Sequence, residues 1–413
     1  MPRGSRRDEP LPGRHPRHKP HRGTPSRTGI GESDPADHAG VLQRKVRQAR
    51  GRGILGLRCR QTPEDTEPGR MQMNSKSPRR DDMSLGQAWS RISRAAFAFA
   101  VLAGGAARAA ADLPYTNLQE LKAKYQDKDS KFATINGLTV HYKDEGKGPA
   151  IMMIHGSSST LHTYDVIADK LKGRYRIIRF DIPPLGLSGP VTDEDVNRVT
   201  DTDLPAKLLE QLGVKSTDCV GVSSGGTHCI YLAARYPDLV NHLIISNSPS
   251  DPVENARPIQ SKGMIESAKE TRALNGFRTQ KSWDTFFTFF SGEPERITPQ
   301  IRERYYDFNR RLPDKNIIAL ASKVANHELA LDMFSRVKIP VLLVWGARDP
   351  LLTPPSADVL AGYLRNADVS KIMLPDVGHY PPLEIPERYA QIIAAYLEAA
   401  TPVRPKSPDP KDR

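Results

Sequence analysis

From Phe132 to Leu397, short apolar runs alternate with stretches of helical periodicity, and that alternation narrows the chain to one kind of architecture. Ala150–Ile154, Tyr175–Phe180, Cys219–Val222, Val240–Ser246, Val341–Trp345 and Lys371–Leu374 read as strands. Thr163–Leu171, Leu204–Leu212, Thr227–Tyr236, Ala357–Leu364 and Pro386–Leu397 read as the helices between them. Ahead of these come a short amphipathic helix, Leu118–Tyr125, and two strands, Phe132–Ile135 and Leu138–Tyr142, joined at Asn136-Gly137 as a hairpin. Strands that are apolar throughout and separated by helices must be covered on both faces. The expected fold is therefore α/β, a mostly parallel sheet with helices on each side.

One long interruption, roughly Pro249 to Lys338, is helical in pattern and contains Trp283-Asp-Thr-Phe286-Phe287-Thr-Phe289-Phe290. Such an aromatic stretch is first of all packing material. An insertion between the last strands of a parallel sheet also lies over the strands' C-terminal edge, where ligands bind. Some rings can thus pack the insertion while others line a pocket, and Phe286 and Phe290 are the candidate substrate-binding residues. The expected organisation is a basic leader over 1–82, a signal peptide over 83–111 and a first core segment over 112–248. A helical cap over 249–338, a second core segment over 339–400 and a disordered tail over 401–413 complete it.

The net charge of +12 does not belong to the folding part. The first 83 residues carry nine of those charges and residues 84–111 the other three, which leaves the chain from Asp112 onward neutral. A neutral body gives no reason to expect a nucleic-acid partner. The leader has almost no apolar periodicity and is expected to be disordered, or to be upstream sequence ahead of a later start at Met71, Met73 or Met83. After Met83 come Arg91 and Arg94, an apolar run from Ala95 to Ala107, and Arg108-Ala-Ala-Ala111-Asp112. These are the three parts of a secretory signal, cleaved after Ala109 or Ala111, so the protein is expected to be periplasmic or secreted. The run is shorter than the ~20 residues of a membrane span, so no stable anchor is expected. Cys219 and Cys229 read as two small buried apolar residues, with a single bridge left open for an exported protein. No spacing of ligands suggests a metal.

The strongest local signal is Gly221-Val222-Ser223-Ser224-Gly225-Gly226, between a strand and a helix. So tight a turn needs small neighbours around the serine, and it lifts the hydroxyl above the sheet. His155-Gly156-Ser157-Ser158-Ser159 follows an earlier strand, and at this point the chain resembles the α/β-hydrolase superfamily from about Phe132 to Leu397. The resemblance implies that the backbone amides of Ser157 and Ser224 hold an oxyanion and that His155 braces its loop. Asp181-Ile-Pro183-Pro184-Leu185-Gly186-Leu187-Ser188 is similar to the superfamily's D-x-P-G-x-G-x-S loop, with Pro184 standing where glycine is common.

A nucleophilic serine needs a base, and the base an orienting acid. Gly346-Ala-Arg-Asp349 and Gly378-His379 each follow a late strand, in the superfamily's order of serine, acid, histidine. Ser223, Asp349 and His379 are thus the expected catalytic residues, with Asp251 the rival acid and His228, His242 and His327 structural. What the resemblance implies is hydrolysis of a small carboxylic ester or lactone through an acyl-enzyme, without cofactor or metal. Carbon–carbon hydrolysis and perhydrolysis on the same triad are alternatives. An inactive binding protein on the same fold is the alternative of another class. The oligomeric state is unreadable.

Overall fold

The computed structural model describes residues 113–198, 203–250, 261–311, 316–324 and 326–400. The leader, the signal-peptide segment, Asp251 and the tail lie outside the described residues. In chain order the elements are α1 (Leu118–Tyr125), β1 (Lys131–Ile135), β2 (Leu138–Glu145), β3 (Ala150–Ile154), α2 (Asp165–Leu171), β4 (Arg176–Phe180), α3 (Asp193–Arg198) and α4 (Asp203–Gln211). Then follow β5 (Thr217–Val222), α5 (Ser224–Arg235), β6 (Val240–Ser246), α6 (Lys262–Ala273), α7 (Gln280–Phe290), α8 (Pro299–Asn309), α9 (Asn316–Val324) and α10 (His327–Arg336). The chain ends through β7 (Val341–Gly346), α11 (Pro354–Tyr363), β8 (Val369–Leu374), α12 (Pro381–Glu384) and α13 (Pro386–Ala399).

Among the described residues the strands form one sheet in the order β1-β2-β4-β3-β5-β6-β7-β8. The β1–β2 and β2–β4 pairings are antiparallel and the rest parallel. Because side chains alternate along a strand, an unbroken apolar run feeds two layers at once. Met152 and Ile154 of β3 join a core with Ile230 of α5 and Leu343 of β7 on one face. Ile151 and Met153 join Tyr164, Val344, Tyr389 and Ile393 on the other. Each such fully buried side chain contributes about 1.5–3 kcal/mol of transfer free energy. This is why the central strands carry no polar alternation.

One feature departs from the sequence reading, and one resolves a point that the sequence left open. α5 begins at Ser224, not Thr227, because Gly225 and Gly226 are themselves helical. Cys219 and Cys229 are buried as expected, yet they form a disulfide. The turn at Ser223 folds α5 back along β5, which brings the two Cα atoms to 5.7 Å although ten residues separate them. Among the described residues, no helix is long and apolar enough to cross a membrane.

Candidate active site

Ser223 sits at the turn from β5 into α5 with φ 54° and ψ −131°, a conformation that side-chain-bearing residues rarely adopt. Strain of this kind costs about 1–3 kcal/mol and persists only where the surroundings over-determine it. Here they do. The Ser223 N–H donates to Ser246 O at 2.9 Å, and its carbonyl accepts from Gly226 N–H and Ser248 Oγ, each at 2.9 Å. Gly225 lets the turn close against β3, since a Cβ there would stand 2.1 Å from Ile154 O.

The loop after β3 reaches the same point. Ser157 Oγ and Ser224 Oγ are 3.0 Å apart, so the two residues expected to supply oxyanion amides are neighbours. Among the described residues, neither amide N–H has a hydrogen-bond acceptor. Ser224 also opens α5, where the helix end favours negative charge. The fully buried His155 ring contacts Gly156 O through Nδ1 at 2.8 Å and accepts from Ile182 N–H through Nε2 at 2.9 Å. Burial pushes its imidazole below the ordinary value, which suits a neutral brace. From above, Asn309 Nδ2 of α8 donates to Ser158 O at 2.9 Å, and Tyr305 OH donates to Ser159 Oγ at 2.7 Å.

Asp349 and His379 meet across two loop ends. His379 Nδ1 lies 2.6 Å from Asp349 Oδ2, with both side chains buried. The other carboxylate oxygen accepts from Leu351 N–H at 2.8 Å and Leu352 N–H at 3.1 Å. The histidine loop is pinned from the cap side, where His379 N–H donates to Phe290 O at 2.7 Å. Gly378 permits this, because a Cβ there would fall 2.2 Å from Phe290 O. Glu384 completes the anchor by accepting from Gly378 N–H at 2.9 Å and Gly292 N–H at 2.8 Å. Its burial raises the carboxyl above the usual range, against the pull of those backbone donors. Among the described residues, no hydrogen bond joins Ser223 Oγ to His379.

The aromatic stretch divides by depth. Trp283 and Phe287 are fully buried core, whereas Phe286 and Phe290 are half-buried. The Phe290 ring centroid is 5.7 Å from that of His379 and 4.6 Å from that of Phe286. Arg278 stacks 3.7 Å over Trp283, and burial lowers its guanidinium to about 10. His242 pairs with Asp218 at 2.7 Å, away from these groups. Among the described residues, no cluster of three or more His, Cys, Asp or Glu could hold a metal ion.

Sequence reasoning missed Asn247, Glu384, Tyr305 and Asn309. A polar residue directly after β6 was the one available signal for Asn247. The other three become visible only when helices distant in sequence pack together.

The alpha/beta hydrolase fold family matches residues 149–386, more than half of the chain. The chain is 23% identical to Lipase 3 of a Moraxella species over 64% of its own length and 82% of the relative's. It is 25% identical to a 2-hydroxy-6-oxononadienedioate/2-hydroxy-6-oxononatrienedioate hydrolase of Burkholderia vietnamiensis, over 63% of this chain and 91% of that one. An esterase structure from Thermogutta terrifontis has the same fold, with a TM-score of 0.51 at 22% identity, covering 65% of this chain and 98% of the other. The parallel sheet, the serine turn at its centre and the family match lead to one conclusion: the chain is a hydrolase and belongs to the alpha/beta hydrolase fold family.

Proposed function

We propose that the protein hydrolyses a small carboxylic ester through an acyl-enzyme on Ser223, with His379 as base and Asp349 as the orienting acid. The observation that carries this reading is the buried Asp349–His379 pair at 2.6 Å, linked through the end of β6 to the strained turn of Ser223. His379 Nε2 takes the Ser223 proton as Oγ attacks the ester carbonyl, while Asp349 fixes the imidazole through Nδ1. The amides of Ser157 and Ser224 receive the charge on the carbonyl oxygen, and a single such donor contributes about 3–4 kcal/mol in other hydrolases. His379 then returns the proton to the leaving alkoxide. Water repeats the sequence on the acyl-enzyme and frees the acid.

Phe290 stands beside His379 and Phe286 beside Phe290, and the two rings are proposed to line the acyl pocket. The similarity to a lipase supports an ester as substrate, and the similarity to an oxononadienedioate hydrolase supports carbon–carbon cleavage as a second reading. A fluorophosphonate probe followed by peptide mapping tests the nucleophile. Label is expected on the Ser223 peptide and to be lost in Ser223→Ala, and label elsewhere would remove the assignment. Turnover of p-nitrophenyl butyrate against a vinylogous diketone separates the two substrate readings.

A further inference from the structure

Asn247 follows the last residue of β6, is fully buried, and has φ 40°, in the left-handed region that asparagine tolerates better than most residues. Both ends of its amide are engaged. Oδ1 accepts from Gly346 N–H at 2.9 Å, and Nδ2 donates to Asp349 Oδ2 at 2.8 Å and to Gly346 O at 3.3 Å. Asp349 Oδ2 is the oxygen that meets His379 Nδ1. Turning the carboxylate away from the histidine would therefore also break the bond to Asn247. On either side of Asn247, the Ser246 carbonyl and the Ser248 hydroxyl hold the backbone of Ser223. Three consecutive residues thus grip the nucleophile turn and the acid together.

We infer that Asn247 is a positioning residue that holds the Asp349 carboxylate in line with His379 and in register with Ser223; this rests on the triad proposed above. The residue type suits the task. An amide nitrogen donates to a carboxylate without exchanging a proton with it, whereas a second carboxylate there would set like charges against each other. A buried amide also needs partners on both ends, and here it has them. It touches neither the substrate nor the reacting atoms, so its effect must pass through Asp349.

The test is a double-mutant cycle with p-nitrophenyl butyrate on the full chain. Asn247→Gly removes the amide and still accommodates the positive φ. It is expected to lower kcat by roughly 10- to 100-fold, the scale of a misplaced catalytic group, with KM nearly unchanged. In an Asp349→Asn background the same change should alter kcat by less than about twofold, because the group it acts through is already lost. An equal fall in both backgrounds, or a wild-type kcat for Asn247→Gly, would overturn the inference. Should Asn247→Gly fail to fold, Asn247→Asp carries the test, since it keeps the shape and the acceptor for Gly346 but turns the donor into an acceptor. Its kcat should fall, and an unchanged kcat overturns the inference. Ser223→Ala is run alongside. Full activity in that variant removes the triad and this inference together, whereas an inactive Ser223→Ala with wild-type Asn247 variants removes the inference alone.

Discussion

Ser223 occupies a backbone conformation that its own side chain disfavours, and four neighbours (Gly225, Gly226, Ser246 and Ser248) make that tolerable. A turn built at this expense exposes one hydroxyl, which is why the serine reads as a nucleophile and not as a helix cap. Ser223→Ala and His379→Ala should each remove nearly all esterase activity, and the double variant should be hardly worse than either, because the groups act as a unit. Asp349→Asn should fall less far, since serine and histidine survive while the imidazole loses its orienting charge. Asp251→Asn checks the rival acid. If it loses activity while Asp349→Asn retains it, the acid comes from the segment after β6. Melting curves should show the Ser223, His379 and Asp349 variants folded, as their side chains end at loops and not within the packed strands.

The helices between β6 and β7 do two different things. Within α7, Trp283 and Phe287 face the core, while Phe286 and Phe290 stay half-exposed beside His379 and Tyr380. Changing Phe286 or Phe290 to Ala should shift the relative kcat/KM for short and long acyl esters. A parallel fall on all esters, tracking a loss of about 3–5 kcal/mol in stability, would make those rings ordinary core. α8 is tied to the body through Asp165, which accepts from Arg304 of α8 at 2.5 Å and from Arg179 of β4 at 2.5 Å. Burial alone would raise the Asp165 carboxyl, but the bond from His162 and the two arginine charges hold it well below its ordinary value of 3.8. A depressed carboxylate contributes stability that is present above its unfolded value and is lost as pH falls below it. Thermal melts should therefore lose stability as pH drops below 3.8, and Asp165→Asn should be less stable at neutral pH and flatter in the acid range. An unchanged acid slope in that variant would place the effect on other carboxylates.

For the whole chain, export remains a proposal from the segment Met83–Asp112. The Cys219–Cys229 bridge supports it, because disulfides persist in oxidising compartments. Intact mass of protein released from a periplasm or medium should give an N-terminus near Ala110 or Asp112, and non-reducing peptide mapping should recover the two cysteine peptides linked. A mature protein still carrying residues 1–82 would overturn the export proposal. Residues from Asp112 onward sum to no net charge, which gives no electrostatic reason to expect a nucleic-acid partner.

Local signals carried a great deal of this protein. Apolar runs bounded by Gly, Pro and polar turns located the strands within a few residues, and Gly221 to Gly226 placed the serine turn, because both depend on neighbours in sequence. The pairing of Asp349 with His379 was legible only through its resemblance to a family order, since nothing near either residue dictates its partner. Asn247, Glu384 and the Asp165 cluster were invisible for the same reason. Each is an ordinary polar residue until packing removes it from water, and only then must it find partners, most of them distant and as far as 139 residues away. The disulfide belongs to this group as well. The sequence determined that both cysteines would be buried, and the sharp reversal at Ser223 decided that they would meet.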